Sequence, residues 1–357
     1  MFRNRVTELI GCDIPILQAP MGFISRSQLA SAVANAGAIG MIETSSGQLD
    51  AVREEIIKMR DLAPGKPFAV NIAQAFVRDP SIVDFVVEQG VRFVTTSAGD
   101  PRKYTATLKA AGLTVFHVVP SLHAALKAVD AGVDGLVVEG SEGGGFKNPK
   151  DVSTMVLLPL VASKVEVPII AAGGFIDGAT MAAAFALGAE GVQMGTRMVA
   201  TAESPIHDNW KEAIVAAPET GTLLLNRHAA PAVRVLRTEV TETYEFDTER
   251  NAMGAMTDHQ AMYFGGDLSK GLPFGGQVAG RIDSVRPVAE VIQECADDCL
   301  RVIADLARAY PGLTTGLRRP CRGVRRCRHR PPGGPRRSRR GEPRWCCTRS
   351  RRPSGHP

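Results

Sequence analysis

The chain has 357 residues, 44% apolar and 5% aromatic, with a formal net charge of +5. Such a length can bury a large core in one or two domains. The longest apolar runs fall far short of the ~20 residues of a membrane span, and the N-terminus has no apolar signal core. A membrane protein is therefore not expected, and a cytoplasmic one is.

In chain order, eight short apolar strands stand out: IPILQAP (14–20), GMIE (40–43), FAVNIA (68–73), RFVTT (92–96), TVFHVV (114–119), GLVVEG (135–140), PIIAAGG (168–174) and GVQMGT (191–196). Helical stretches alternate with them, among them 27–37, 49–62, 81–90, 101–112, 121–132 and 177–188. Five of the helix–strand junctions carry a helix-ending glycine: Gly37, Gly90, Gly112, Gly132 and Gly188. Most of the strands are solid rather than alternating apolar runs, as in a parallel sheet buried on both faces. Eight β-α units within residues 1–200 predict a (β/α)8 TIM barrel. An open doubly wound sheet is the alternative, disfavoured because no G-x-G-x-x-G follows the first strand.

Residues 201–315 read as a helical extension over the barrel mouth, with helices in SPIHDNWKEAIVAA, RVLRTEVTETYEF and PVAEVIQECADDCLRVIADLARA. A polar, Gly-rich loop separates the last two. Residues 316–357 hold 15 Arg, no Lys and one acidic residue, a net of +14 that leaves −9 for the rest. This basic tail reads as disordered and as the product of a shifted reading frame; its composition argues against a nucleic-acid arm. Four of the seven cysteines lie in it. No cysteine pair has C-x2-C spacing, and Cys295 and Cys299, one helical turn apart, suit a helix face, so neither a metal site nor a disulfide framework is expected.

In a barrel of this kind chemistry sits at the C-terminal strand ends. Gly173 and Gly174 end strand seven, just before a helix that Asp177 can cap, and Gly195 and Thr196 end strand eight. Bare backbone N–H groups at those two ends predict a phosphate cradle. The run Gly143–Gly144–Gly145 after strand six supplies another bare wall, and Pro20–Met21–Gly22 a surface that a flat ring can approach. Together these suit flavin mononucleotide (FMN). The competing occupant is a phosphosugar without a cofactor, which would want Lys or Glu to move protons; these ends are poor in Lys.

QAPMG (18–22), VPIIAAGGFIDG (167–178), ALGAEGVQMGTR (186–197) and GGQVAG (275–280) resemble, in that order, the nitronate monooxygenase family. The likeness runs from about residue 5 to about residue 310. Flavin-dependent NAD(P)H:quinone reductases and a bacterial flavin enoyl-ACP reductase are similar. The resemblance implies FMN, its phosphate on Gly173, Gly174, Gly195 and Thr196, its ring beside Pro20, Met21 and Gly22. Asn71, Gly144 and Gly145 would touch the ring or the ribityl chain, and Gln277 would face the same pocket. Two departures stand out. The family's catalytic histidine after the strand-six glycines is Phe146 here, which cannot act as a general base. A Lys common after the strand-five histidine is Val118.

The expected activity is thus an FMN-dependent oxidoreductase, with NADH or NADPH or an activated organic substrate reducing the flavin, acting on an apolar small molecule. The alternatives are a true nitronate monooxygenase using O₂, its base moved to His117, and a barrel that binds FMN or a phosphate ligand without catalysis. His117 is otherwise a buried structural histidine; His123 flanks the same strand, and His207 and His228 read as structural or surface groups. Glu139 and Glu142 are either acid–base residues or a turn cap and a solvated group. A homo-oligomer stays open.

Overall fold

The computed structural model describes residues 2–311. The expected basic tail, 316–357, lies outside the described residues. In chain order the barrel comprises α1 (Arg5–Ile10), β1 (Ile16–Gln18), α2 (Ser27–Asn35), β2 (Gly40–Ile42), α3 (Leu49–Leu62), β3 (Phe68–Ala73), α4 (Ser81–Glu88), β4 (Phe93–Ser97), α5 (Thr105–Ala110), β5 (Thr114–Val119), α6 (Leu122–Asp130), β6 (Gly135–Glu139), β7 (Gly145–Lys147), α7 (Thr154–Ala162), β8 (Ile169–Ala172), α8 (Gly178–Ala186), β9 (Gly191–Met194) and α9 (Thr196–Val199). All of these except β7 build or surround one parallel sheet, in the order β1-β9-β8-β6-β5-β4-β3-β2. A parallel bridge from Leu17 to Ile39 joins the two ends. The Gln18 side chain extends that joint: its amide nitrogen donates to the Met41 carbonyl at 3.0 Å. The ring is a TIM barrel, and all eight expected strands are present. The five helix-ending glycines all lie in the left-handed region, with φ from +70° to +101°.

Side-chain alternation along each strand makes two cores. Leu17, Ile39, Met41, Ala69, Phe93, Phe116, Val137, Ile170 and Ala172 fill the interior, where Val6 and Ile10 of α1 join them. Ile16, Ile42, Val70, Val94, Val115, Leu136, Ala171 and Val192 face outward against the helices. The phenyl groups of Phe93 and Phe116 meet edge to face, 5.2 Å between centroids. Facing α8, α13 (Val288–Ala309) buries Val288, Val291, Ile292, Cys295, Ala296 and Cys299, so the two cysteines do sit on a packed helix face. Both are free thiols.

The stretch after residue 200 departs from the helical reading. It holds α10 (Asp208–Val215), then β10 (Thr222–Leu225) and β11 (Ala232–Leu236), then α11 (Glu239–Glu242), α12 (His259–Tyr263) and α13. In RVLRTEVTETYEF only Glu239–Glu242 is helical, and its first residues belong to β11. The reason is tertiary: β11 is fully buried between β10 and β7 in an antiparallel sheet, an environment that suits Val and Leu on a pleated surface. Barrel and extension form one compact unit up to Tyr310. Among the described residues, no helix is long and apolar enough to cross a membrane.

Candidate functional site

The loop after β1 carries Pro20, Met21 and Gly22. Ser25 holds it from within: its Oγ accepts from the Met21 N–H and donates to the Ala19 carbonyl, each at 2.9 Å. Phe23 then takes φ +64°, unusual for a residue with a side chain. Glu43, at the end of β2, secures that shape. Its wholly buried carboxylate accepts from the Phe23 N–H (3.3 Å), the Ser46 N–H (2.7 Å) and Ser45 Oγ (2.9 Å), and pairs with Arg26 at 3.2 Å.

Four interior-facing positions lie at the C-terminal strand ends. Asn71 on β3 is 1% exposed, and its amide nitrogen donates to Thr95 Oγ1 at 2.9 Å. Val118 on β5 packs against the interior cluster. Glu139 on β6 stands opposite Ala172, and Ala172 opposite Gln193 on β9. Gln193 is 7% exposed, and its Oε1 has no hydrogen-bond partner. An orphaned acceptor of this kind costs about 1–3 kcal/mol unless a ligand satisfies it. Sequence reading passed over Gln193 in favour of the glycine two residues on; its interior register is what marks it.

The glycine-rich ends meet around the mouth. Gly174 has φ +96° and open space where a side chain would point. The backbone N–H groups of Gly174, Gly195 and Thr196 donate to no acceptor among the described residues, which leaves three donors for an anion. As expected, Asp177 caps α8, in a reciprocal box with Thr180. A Cβ on Gly195 would lie 3.8 Å from Met21 Sδ, so the loop after β1 abuts the end of β9. Thr196 Oγ1 accepts from the Gly276 N–H at 2.8 Å, and the Glu142 carbonyl from the Gln277 N–H at 2.9 Å. A Cβ on Gly144 would lie 2.9 Å from Gly275 C and Gly276 N. One rim thus runs from Met21 through Gly195, Thr196, Gly276 and Gly144. Gln277 joins it through its backbone, its side chain being exposed.

The triple glycine is not a simple loop. Gly145 opens β7, which pairs antiparallel with β11, Phe146 opposite Val233 and Lys147 opposite Ala232. Phe146 stacks on Phe76 at 5.5 Å and tilts against Phe274 at 5.6 Å between centroids. It remains 36% exposed. Lys147 turns the other way and is buried. Arg234 of β11, also buried, donates to the Ser141 carbonyl at 2.6 Å. Burial pushes its guanidinium below the usual value, and Glu142 and Asp151 oppose that. Glu142 itself accepts from the Thr154 N–H at 2.9 Å, the cap reading of the two left open for it. Lys147, Arg234, Phe76 and Phe274 were not legible as site residues: Arg234 and Phe274 reach the mouth from positions distant in sequence, Phe76 is marked only by its ring contact with Phe146, and Lys147 only by its burial.

His117 stands outside the barrel interior. Its neighbours Phe116 and Val118 face inward, so His117 points outward between β4 and β5, with Nδ1 2.7 Å from Thr96 Oγ1. Burial pushes its pKa down to about 4, against a smaller upward pull from Asp100. It is a neutral structural histidine and does not stand in for a base at position 146. Among the described residues, no group of three or more His, Cys, Asp or Glu could hold a metal ion.

The family model for nitronate monooxygenase matches residues 3–76 and 73–298. A protein of Mycobacterium tuberculosis, named (3aS,4S,5R,7aS)-5-hydroxy-7a-methyl-1-oxo-octahydro-1H-indene-4-carboxyl-CoA dehydrogenase, is 36% identical over 71% of this chain and 71% of its own. The nitronate monooxygenase of Paraburkholderia phytofirmans is 32% identical over 60% of this chain and 70% of its own. The structure of FabK from Thermotoga maritima superposes with a TM-score of 0.81 at 37% identity, covering 87% of this chain and all of that one. With its barrel, its glycine rim and these likenesses in place, the chain belongs to the nitronate monooxygenase family of oxidoreductases.

Proposed function

We propose that the protein is an FMN-dependent oxidoreductase that takes electrons from NADH or NADPH and acts on a bulky apolar organic substrate. The observation that carries this reading is the phenyl wall: Phe146, stacked on Phe76 and against Phe274, lies where a proton-abstracting histidine would make the site a nitronate oxidase. Such a wall repels a small charged nitronate and favours burial of a large hydrocarbon surface. The Mycobacterium tuberculosis relative, named for a bicyclic carboxyl-CoA, fits that substrate class.

The residues fit the cofactor. The N–H groups of Gly174, Gly195 and Thr196, with the Gly173 turn, would hold the phosphate. Pro20, Met21 and Gly22 would flank the ring, with Asn71, Gly144 and Gly145 nearby, and Gln193 Oε1 would accept from a ring or ribityl donor. Bound FMN supplies hydride acceptance and donation in two-electron steps. The chain's own share is positioning: Glu43 and Ser25 fix one wall, the β7–β11 pairing fixes the other, and the phenyl groups exclude water.

Anaerobic titration of the FMN-loaded protein with NADH, NADPH and a nitronate in parallel tests this. Loss of the oxidised-flavin absorbance with a nicotinamide nucleotide is the expected result. A protein that gains no flavin absorbance with added FMN, or one bleached by the nitronate alone, would overturn it.

A further inference from the structure

Lys147 is a buried cation at the mouth, with a side chain 5% exposed. All three of its ammonium protons have acceptors: Glu139 Oε1 at 2.7 Å, the Gly144 carbonyl at 2.9 Å and the Phe146 carbonyl at 3.1 Å. Two of these are backbone groups of the glycine turn itself, and the third is the carboxylate that ends β6. The backbone also lies directly on the pair: a Cβ at Gly143 would sit 2.6 Å from Glu139 Oε1 and 3.2 Å from Lys147 Nζ. Arg234 holds the same segment one step earlier, at Ser141. A stretch with three consecutive glycines has the largest conformational freedom to lose, and an internal ammonium limits it here together with the pairing of β7 to β11. The charge is placed where it satisfies carbonyls that would otherwise be free to rotate toward solvent or toward a ligand.

We propose that Lys147, anchored by Glu139, is a positioning residue of the candidate site. Its ammonium presets the shape of the 143–146 turn before any ligand arrives, so that the bare face of the turn is offered to the flavin and Phe146 is turned toward Phe76. The inference rests on the FMN reading above for its ligand, but the preset turn is a property of the ligand-free chain. A preorganised wall raises affinity because binding then has less backbone to order.

The test uses the double variant Lys147→Met/Glu139→Leu, which removes both charges and leaves no unpaired buried ion, alongside Lys147→Met. In ligand-free protein, hydrogen exchange of peptides spanning 143–147 is expected to speed at least tenfold in the double variant, with exchange in the barrel strands unchanged. FMN affinity is expected to fall at least tenfold. Exchange and affinity both within twofold of wild type in the double variant would overturn the proposal, and so would faster exchange with unchanged FMN affinity. If the wild-type protein takes up no FMN, the cofactor reading fails, and the preset turn is then decided by ligand-free exchange alone.

Discussion

Gly144→Ala places one methyl group in the joint between the strand-six turn and the extension. The new Cβ would lie 2.9 Å from Gly275 C and Gly276 N and 3.1 Å from Gly275 Cα. Carbon atoms rest at about 3.5–4.0 Å, so the two backbones must separate by roughly 0.6 Å or more. Neither is a flexible side chain that can swing aside. One hydrogen bond crosses this joint, Gln277 N–H to the Glu142 carbonyl, and a second, Gly276 N–H to Thr196 Oγ1, ties the same segment to the end of β9. Overpacking of this kind costs about 1–3 kcal/mol, and stretching one of the bonds adds about 1 kcal/mol. The total of about 2–4 kcal/mol corresponds to a fall in Tm of about 3–6 °C for a unit of this size. Differential scanning calorimetry reads it directly. An unchanged Tm would refute the close approach and, with it, the claim that the extension is built onto the rim.

Gln193→Leu separates a ligand role from a structural one: the ligand-free protein should keep or gain about 1 kcal/mol of stability, since a buried acceptor without a partner is removed, while FMN affinity falls. Urea titration and flavin fluorescence check the two halves. Phe146→His, at a position 36% exposed, should fold normally and raise nitronate-dependent oxygen uptake at least tenfold, measured with an oxygen electrode. His117 is neutral when folded, its pKa lowered to about 4 from 6.5, so the unfolded chain binds the proton first. Its contribution is complete above pH 6.5 and is lost as pH falls toward 4, up to about 3 kcal/mol. His117→Gln should flatten that part of the stability–pH curve.

The barrel was legible because its strands are solid apolar runs closed by glycines, a local pattern that a parallel sheet imposes. The glycine rim was legible for the same reason, since a bare backbone announces itself residue by residue. What failed was non-local. Nothing within Gly145–Lys147 shows that it pairs with Ala232–Leu236, some 87 residues on, and the threonines and glutamates after Leu236 lent the segment a helical look. Lys147 escaped notice because a lysine is normally solvated, and only its three acceptors explain its burial. His117 could be settled only by strand register, which sends it outward.

The β7–β11 pairing also orders events during synthesis. All eight barrel strands have been synthesised by Met194, yet the partner of β7 ends at Leu236 and the Gly275–Gly276 contact comes later still. A nascent chain can therefore close its ring while one wall of the mouth is missing, since the N-terminal part folds first. A chain stalled or cut near residue 200 would therefore be a ring of paired strands that lacks the β7–β11 wall of its mouth.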